Sequence, residues 1–207
     1  MKLHLGCGST VVPGWQNIDK SPSIVLARIP GLRPTLARIG LISRAQQEAV
    51  FPPGIIRADV RRGLSYPDAS AEFVYSSHMI EHLARWQGLA FLRECFRVLR
   101  PGGRVRLATP DLAELVDEYT QEGDADAFMD RVGHFVEQPG SPTRGLLRRL
   151  FTGAAHQWLY DEASLRRLLE EAGFVDVERR AFRDSELPDI ALLEDRDGSL
   201  FVEARRP

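Results

Sequence analysis

Short apolar runs at residues 2–6, 15–19, 55–58, 72–77, 103–109, 174–182 and 199–205 alternate with stretches of helical periodicity or loop character. That alternation predicts an α/β fold with a doubly wound, mostly parallel seven-stranded sheet, since crossover helices cover both faces of such a sheet. The last run, SLFVEARR, can enter as a hairpin partner of its predecessor, so an antiparallel last strand is expected. WQGLAFLRECFRVL places Trp86, Leu89, Leu92, Phe96 and Leu99 at helical spacing, and Pro101-Gly102-Gly103 ends that crossover helix. DEASLRRLLEEAGF reads as a second helix, with Asp161 as its cap and Gly173 as its terminator.

A chain of 207 residues suits one domain, residues 1–207, able to bury most of its apolar surface without disulfides or structural metal. Prolines at 22, 30, 34, 52 and 53 cut the segment 20–54 into short helices, expected to pack as an insertion or lid after the second strand. The first residues are already a strand, with no charged leader and no run of membrane-spanning length, so a cytoplasmic protein without an integral membrane segment is expected. Cys7 and Cys95 show no pairing pattern and suit a reducing compartment. A net charge of -2 gives no global attraction for polyanions, and no basic stripe interleaved with aromatics appears, which weighs against nucleic acid as a partner. Locally the charge divides: residues 20–54 carry Lys20, Arg28, Arg33, Arg38 and Arg44 against Glu48, while 111–137 carry nine acids against Arg131. The oligomeric state is not legible.

LHLGCGS at 3–9 is a strand running into a Gly-x-Gly turn. Gly6 and Gly8 lack a Cβ and can adopt positive φ, so a ligand can approach the backbone closely. Asp19, closing the next strand, suits a ribose diol. Val11 stands where a dinucleotide fingerprint wants its third glycine, and STVVPGW leaves no room for a crossover helix. The turn alone suits an ordinary strand-turn-strand as well as a nucleotide site. Residues just beyond the strands extend the candidate rim: Asp59 and Val60 after the third, Ser77 and His78 after the fourth, Thr109, Pro110 and Asp111 after the fifth.

LHLGCGS, NID, RADVRRGLSYPDASAEFVYSSHMIEHL and LRECFRVLRPGGRVRLATPDL, taken in order, resemble the class I S-adenosylmethionine-dependent methyltransferases, and within them the small type 11 branch. The resemblance covers about residues 2–110 and resumes over 161–182. It implies a Rossmann-like methyltransferase fold and S-adenosyl-L-methionine as cofactor, with S-adenosyl-L-homocysteine as product. Carried over by position, Gly6, Cys7 and Gly8 would hold the methionine and ribose portions and Asp19 the ribose hydroxyls. Asp59 would accept from the adenine amine with Val60 beside the ring, and Ser77 and His78 would flank the methionine end. One departure is His4, where the family often has an acid that anchors the methionine ammonium. The segment 20–54 has no counterpart in the minimal fold.

The acceptor implied is small or medium: an oxygen or nitrogen of a sugar, glycan precursor or natural-product intermediate, anionic or lipid-linked if the arginines of 20–54 guide it. Residues 111–160 would form a helical acceptor-side segment. Candidate bases are His78, His82, His134 and His156, with His156 preferred because AHQWLYD sets it beside Trp158 and Tyr160 on a loop that can reach the rim. The alternative is a non-catalytic module that binds the cofactor, its product or a partner; His4 in place of an acid and the lack of a compelling base keep it open. HMIEH also spells the H-x-x-E-H order of a class of zinc peptidases. With no separate third-ligand motif downstream, no metal is expected, and Glu81 and His82 are read as partners of backbone or cofactor-side polar groups.

Overall fold

The computed structural model describes residues 1–21, 24, 29, 31–38, 52–133 and 155–207. In chain order its elements are β1 (Lys2–Leu5), β2 (Gln16–Asp19), α1 (Leu32–Arg38), β3 (Ile55–Arg57), β4 (Ala71–Ser77), α2 (Arg85–Val98) and β5 (Leu99–Thr109). There follow α3 (Leu112–Glu122), α4 (Ala125–Val132), α5 (Glu162–Glu171), β6 (Val175–Arg180), α6 (Ile190–Leu193) and β7 (Leu200–Arg205). Short 3₁₀ turns, Val60–Arg62 and Ile80–His82, follow β3 and β4.

The seven strands form one sheet in the order β3-β2-β1-β4-β5-β7-β6. β1 pairs in parallel with β2 and β4, and β4 with β5, whereas β7 runs antiparallel to both β5 and β6. The order reverses between β1 and β4, and a switch point of this kind opens a crevice beyond the strands' carboxyl ends. Both the glycine turn and His78 leave the sheet there.

One face of the sheet carries the main core: Leu3, Leu5, Val74, Val105 and Leu107 from the strands meet Phe91, Leu92, Cys95 and Val98 of α2 and Leu165, Leu168 and Leu169 of α5. Each such side chain, fully buried, contributes roughly 1.5–3 kcal/mol of transfer free energy. The other face holds a smaller cluster of Val12, Trp15, Tyr75, Leu187 and Leu193. The buried face of α2 is rotated from the spacing that the sequence suggests. Gly88, Phe91, Leu92, Cys95 and Val98 point inward, and Trp86 is 71% exposed. Gly88 is what lets the helix seat: a Cβ there would stand 2.8 Å from the Tyr160 hydroxyl.

No helix joins β1 to β2. Asn17 holds the connecting loop instead, accepting from the Val12 N–H and donating to the carbonyls of Val12 and Trp15. The insertion after β2 is described only in part, chiefly as α1, so Arg28 and Arg44 lie outside the described residues. Among the described residues, no helix is long and apolar enough to cross a membrane.

Candidate functional site

The glycine turn is held by hydrogen bonds to β2. The Gly6 and Cys7 N–H groups donate to the Ile18 carbonyl, and the Gly8 N–H donates to Asp19 Oδ2 at 2.9 Å. Asp19 Oδ1 accepts from the Ser21 N–H at 2.6 Å. A carboxylate offers about four lone-pair sites, and these are its two donors among the described residues. Gly6 and Gly8 both have positive φ, for different reasons. A Cβ on Gly6 would meet Met79 at 2.7 Å, whereas one on Gly8 would have nothing within 4 Å. Gly6 is required by protein packing, and Gly8 opens onto space. Cys7 between them is buried, and burial pushes its thiol up to about 12, so it is no nucleophile at neutral pH.

Asp59 lies two residues past β3. It caps the first 3₁₀ turn by accepting from the Arg61 N–H and pairs with the Arg61 guanidinium, Nη2 to Oδ2 at 2.5 Å. Those hydrogen bonds hold its carboxyl at about 2. Val60 packs inward and is 7% exposed, part of the main core. The third acid of the rim, Asp111, is structural: it caps α3 through the Ala113 N–H and pairs with Arg179 at 3.0 Å. His4 is buried against Asn17 and Tyr75, and burial lowers its imidazole to about 4. It is neutral, and offers no charge where an acid would.

Beyond β4 the chain turns sharply at His78, a non-glycine residue with φ of 47°. Its N–H donates to the Ala108 carbonyl, while its ring nitrogens lie 3.2 Å from Glu81 Oε1 and 3.0 Å from Ser199 Oγ. Both nitrogens are engaged by protein, so His78 has no lone pair to spare for a substrate proton. Ser77, which ends β4 beside Ala108, is half-buried.

His156 sits in a different setting. The Gln157 and Trp158 N–H groups donate to the Glu81 carbonyl, and Gln157 Nε2 donates to the His82 carbonyl. This clamp lays residues 155–158 along the second 3₁₀ turn. His156 Nδ1 then lies 2.7 Å from the Val132 carbonyl, which fixes Nδ1 as the protonated nitrogen and leaves the lone pair on Nε2, 4.0 Å from Glu81 Oε1. Gly133 makes room for the ring: a Cβ there would stand 2.7 Å from His156 Nδ1. His82 and His156 face one another with ring centroids 4.9 Å apart. His134 lies outside the described residues. The convergence of Glu81, His82 and His156 was not read from sequence as one cluster, because the partners are more than 70 positions apart. The H-x-x-E-H spelling and the lone histidine of AHQWLYD were its only traces.

The sequence profile of a methyltransferase-domain family matches residues 39–179. The chain belongs to that family. The methyltransferase domain is also similar to curated relatives over a shorter stretch. It is 48% identical over 59 residues, 27% of this chain and 22% of the relative, to a "Probable S-adenosylmethionine-dependent methyltransferase" of Mycolicibacterium smegmatis. It is 46% identical over 48 residues, 23% and 17% of the two chains, to a protein of Mycobacterium tuberculosis described in the same words. The matched stretches thus span less than a quarter of the curated relatives' length. Among solved structures, a S-adenosylmethionine-dependent methyltransferase of Methanosarcina mazei shares the fold with a TM-score of 0.53 and 20% identity, over 99% of this chain and 91% of that one. The apo form of the methyltransferase SibL shares it with a TM-score of 0.51 and 22% identity, over 100% of this methyltransferase domain and 50% of that chain.

Proposed function

We propose that the domain is a S-adenosylmethionine-dependent methyltransferase acting on a small or medium acceptor, an oxygen or nitrogen of a sugar, glycan precursor or natural-product intermediate. The observation that carries this reading is the Gly8–Asp19 pair: an open glycine turn pinned by a carboxylate suited to a ribose diol. Family membership and the names of the mycobacterial relatives support it.

When bound, S-adenosylmethionine supplies an activated methyl group for in-line displacement. The chain's own residues bind and orient. Gly8 leaves the approach to the backbone open, Asp19 would take the ribose hydroxyls, and Asp59, kept ionised, can accept from an adenine amine by exchanging part of its hold on Arg61. Ser77 and His78 border the crevice at the end of β4. On the acceptor side, the Nε2 lone pair of His156 is a basic group that the fold holds in place. Alignment of the two reactants supplies several kcal/mol of the barrier reduction and a positioned base a further ~10²-fold to 10⁴-fold.

Transfer of a radiolabelled methyl group from S-adenosylmethionine to a panel of sugars, glycan precursors and small natural products tests the reading. Label in any acceptor supports turnover, and none with tight product binding supports a sensor or partner-binding module instead. The narrower idea of an anionic or lipid-linked acceptor rests on the basic residues of 20–54. It predicts that Arg33→Glu with Arg38→Glu weakens acceptor affinity and its salt dependence, and an unchanged affinity would refute it.

A further inference from the structure

Glu81, His82 and His156 each offer one ligand atom, and the three atoms lie within 4.8 Å of one another. A common centre therefore exists within ~2.8 Å of all three, against ~2.1 Å in a loaded imidazole and carboxylate site. Small side-chain rotations close the difference. The burial of Glu81 supplies an independent sign of a missing partner. Its side chain is fully buried, and among the described residues Oε2 has no hydrogen-bond partner. A carboxylate oxygen left so inside a protein is costly unless a proton, a water or a cation meets it.

His156 is oriented as a metal ligand is. A ligating histidine characteristically donates its other ring N–H to a carbonyl, which fixes the tautomer and turns the lone pair to the ion. His156 Nδ1 does so toward Val132 at 2.7 Å, and His82 Nδ1 lies 3.5 Å from the Ala155 carbonyl. His78 approaches Glu81 Oε1 at 3.2 Å and Ser199 in turn, an outer contact that positions the carboxylate. The backbone clamp from Gln157 and Trp158 to Glu81 joins the two halves of the cluster.

We infer that Glu81, His82 and His156 form a binding site for a divalent transition-metal ion of the zinc or cobalt type. Two neutral imidazoles and one carboxylate are the donor set such ions favour, and three protein ligands leave a coordination position for an outside oxygen. The site lies beyond the carboxyl end of β4, and Met79, two residues before Glu81, packs against Gly6 of the glycine turn. The cluster thus lies close to the candidate cofactor turn. An acceptor oxygen bound there would be polarised by the ion; with the ion bound the His156 lone pair serves as ligand, and in the ion-free chain it is the base of the methyl-transfer reading. The inference stands apart from the methyl-transfer reading, because ion binding needs neither cofactor nor acceptor.

The test is titration of the metal-free full chain with Co²⁺ and Zn²⁺, followed by the visible absorption of bound cobalt and by calorimetry. One ion per chain is expected, with cobalt bands of four- or five-coordinate intensity. His156→Ala is expected to weaken binding ~100-fold or more, and Gly133→Ala, which displaces the His156 ring, by ~10-fold or more. Unchanged thermal melting of His156→Ala separates ligand loss from unfolding. Glu81→Gln, which keeps the shape of the buried side chain, provides a second variant and should also abolish the cobalt bands. Failure of the native chain to take up either ion would overturn the inference, as would equal uptake by His156→Ala and Glu81→Gln.

Discussion

Asp19 Oδ2 accepts the Gly8 N–H at 2.9 Å, so one carboxylate both shapes the glycine turn and lines the crevice it borders. The dual role predicts a graded response. Asp19→Ala should lower affinity for S-adenosylhomocysteine by roughly 10-fold to 100-fold, because hydrogen bonds to a charged group are each worth about 1.5–3 kcal/mol. Asp19→Asn should lose less, since its carbonyl oxygen can keep the Gly8 bond. Calorimetric titration of the two variants separates the turn from the ribose contact.

The two glycines of the turn should respond differently. Gly6→Ala places a Cβ 2.7 Å from Met79 at a φ of 72°, so its main cost is stability, read as a lower Tm. Gly8→Ala meets no neighbour and pays only the left-handed backbone, about 1–2 kcal/mol. A Gly8→Ala variant with the larger loss of cofactor affinity, beside a Gly6→Ala variant with the larger loss of Tm, is the expected pattern. The reverse pattern contradicts the assignment of Gly8 to the ligand side.

His4 sets a pH dependence of folding. Burial lowers its imidazole from 6.5 to about 4, so between those values the unfolded chain binds a proton that the folded chain refuses. The stabilisation is complete above pH 6.5 and is lost as the pH falls toward 4, by up to about 3 kcal/mol. Urea unfolding across this window should show the slope in the native protein and a flatter profile in His4→Gln. Asp59, held at about 2 by Arg61, adds its own loss only below the ordinary carboxylate value.

Arg106 is fully buried in β5, where it donates to Glu194 Oε1 at 2.5 Å and to Glu203 Oε1 at 3.0 Å and to the carbonyls of Asp184 and Ala181. Glu194→Ala leaves Glu203 to balance the charge but removes the acceptor of the buried Arg106 Nε and of the Arg183 N–H. It should therefore destabilise the fold by about 1–3 kcal/mol for each donor left unmet, measured by chemical denaturation.

The sequence made legible whatever is local. The strand of LHLGCGS and the Asp161 cap of α5 are each decided within a few residues, and the seven strands fall close to their expected places. The stop of α2 is different: the helix ends at Val98, and Leu99 and Pro101-Gly102-Gly103 already belong to β5. The antiparallel last strand follows from the hairpin placing of SLFVEARR, whereas the strand order rests on long-range pairing that no local run indicates. The buried face of α2 departs from the apolar spacing because Trp86, apolar yet in the helix's first turn, is 71% exposed, while the small Gly88 faces inward. Arg106 was invisible as a core residue. A charged side chain alternating with apolar ones in RVRLAT reads as solvent-facing, and only Glu194 and Glu203, nearly ninety positions or more away, reveal it as buried. His156 was singled out, but its setting depends on Gly133, Val132 and the Glu81 backbone, none of which its own neighbourhood indicates.

Calorimetric titration of the full chain with S-adenosylhomocysteine, run beside NAD and with the Asp19→Ala and Gly8→Ala variants, tests the central claim most directly. One site per chain for S-adenosylhomocysteine, weakened in both variants and with no heat from the dinucleotide, is the predicted result. No binding of S-adenosylhomocysteine to the native chain, or equal binding by all three proteins, would contradict it.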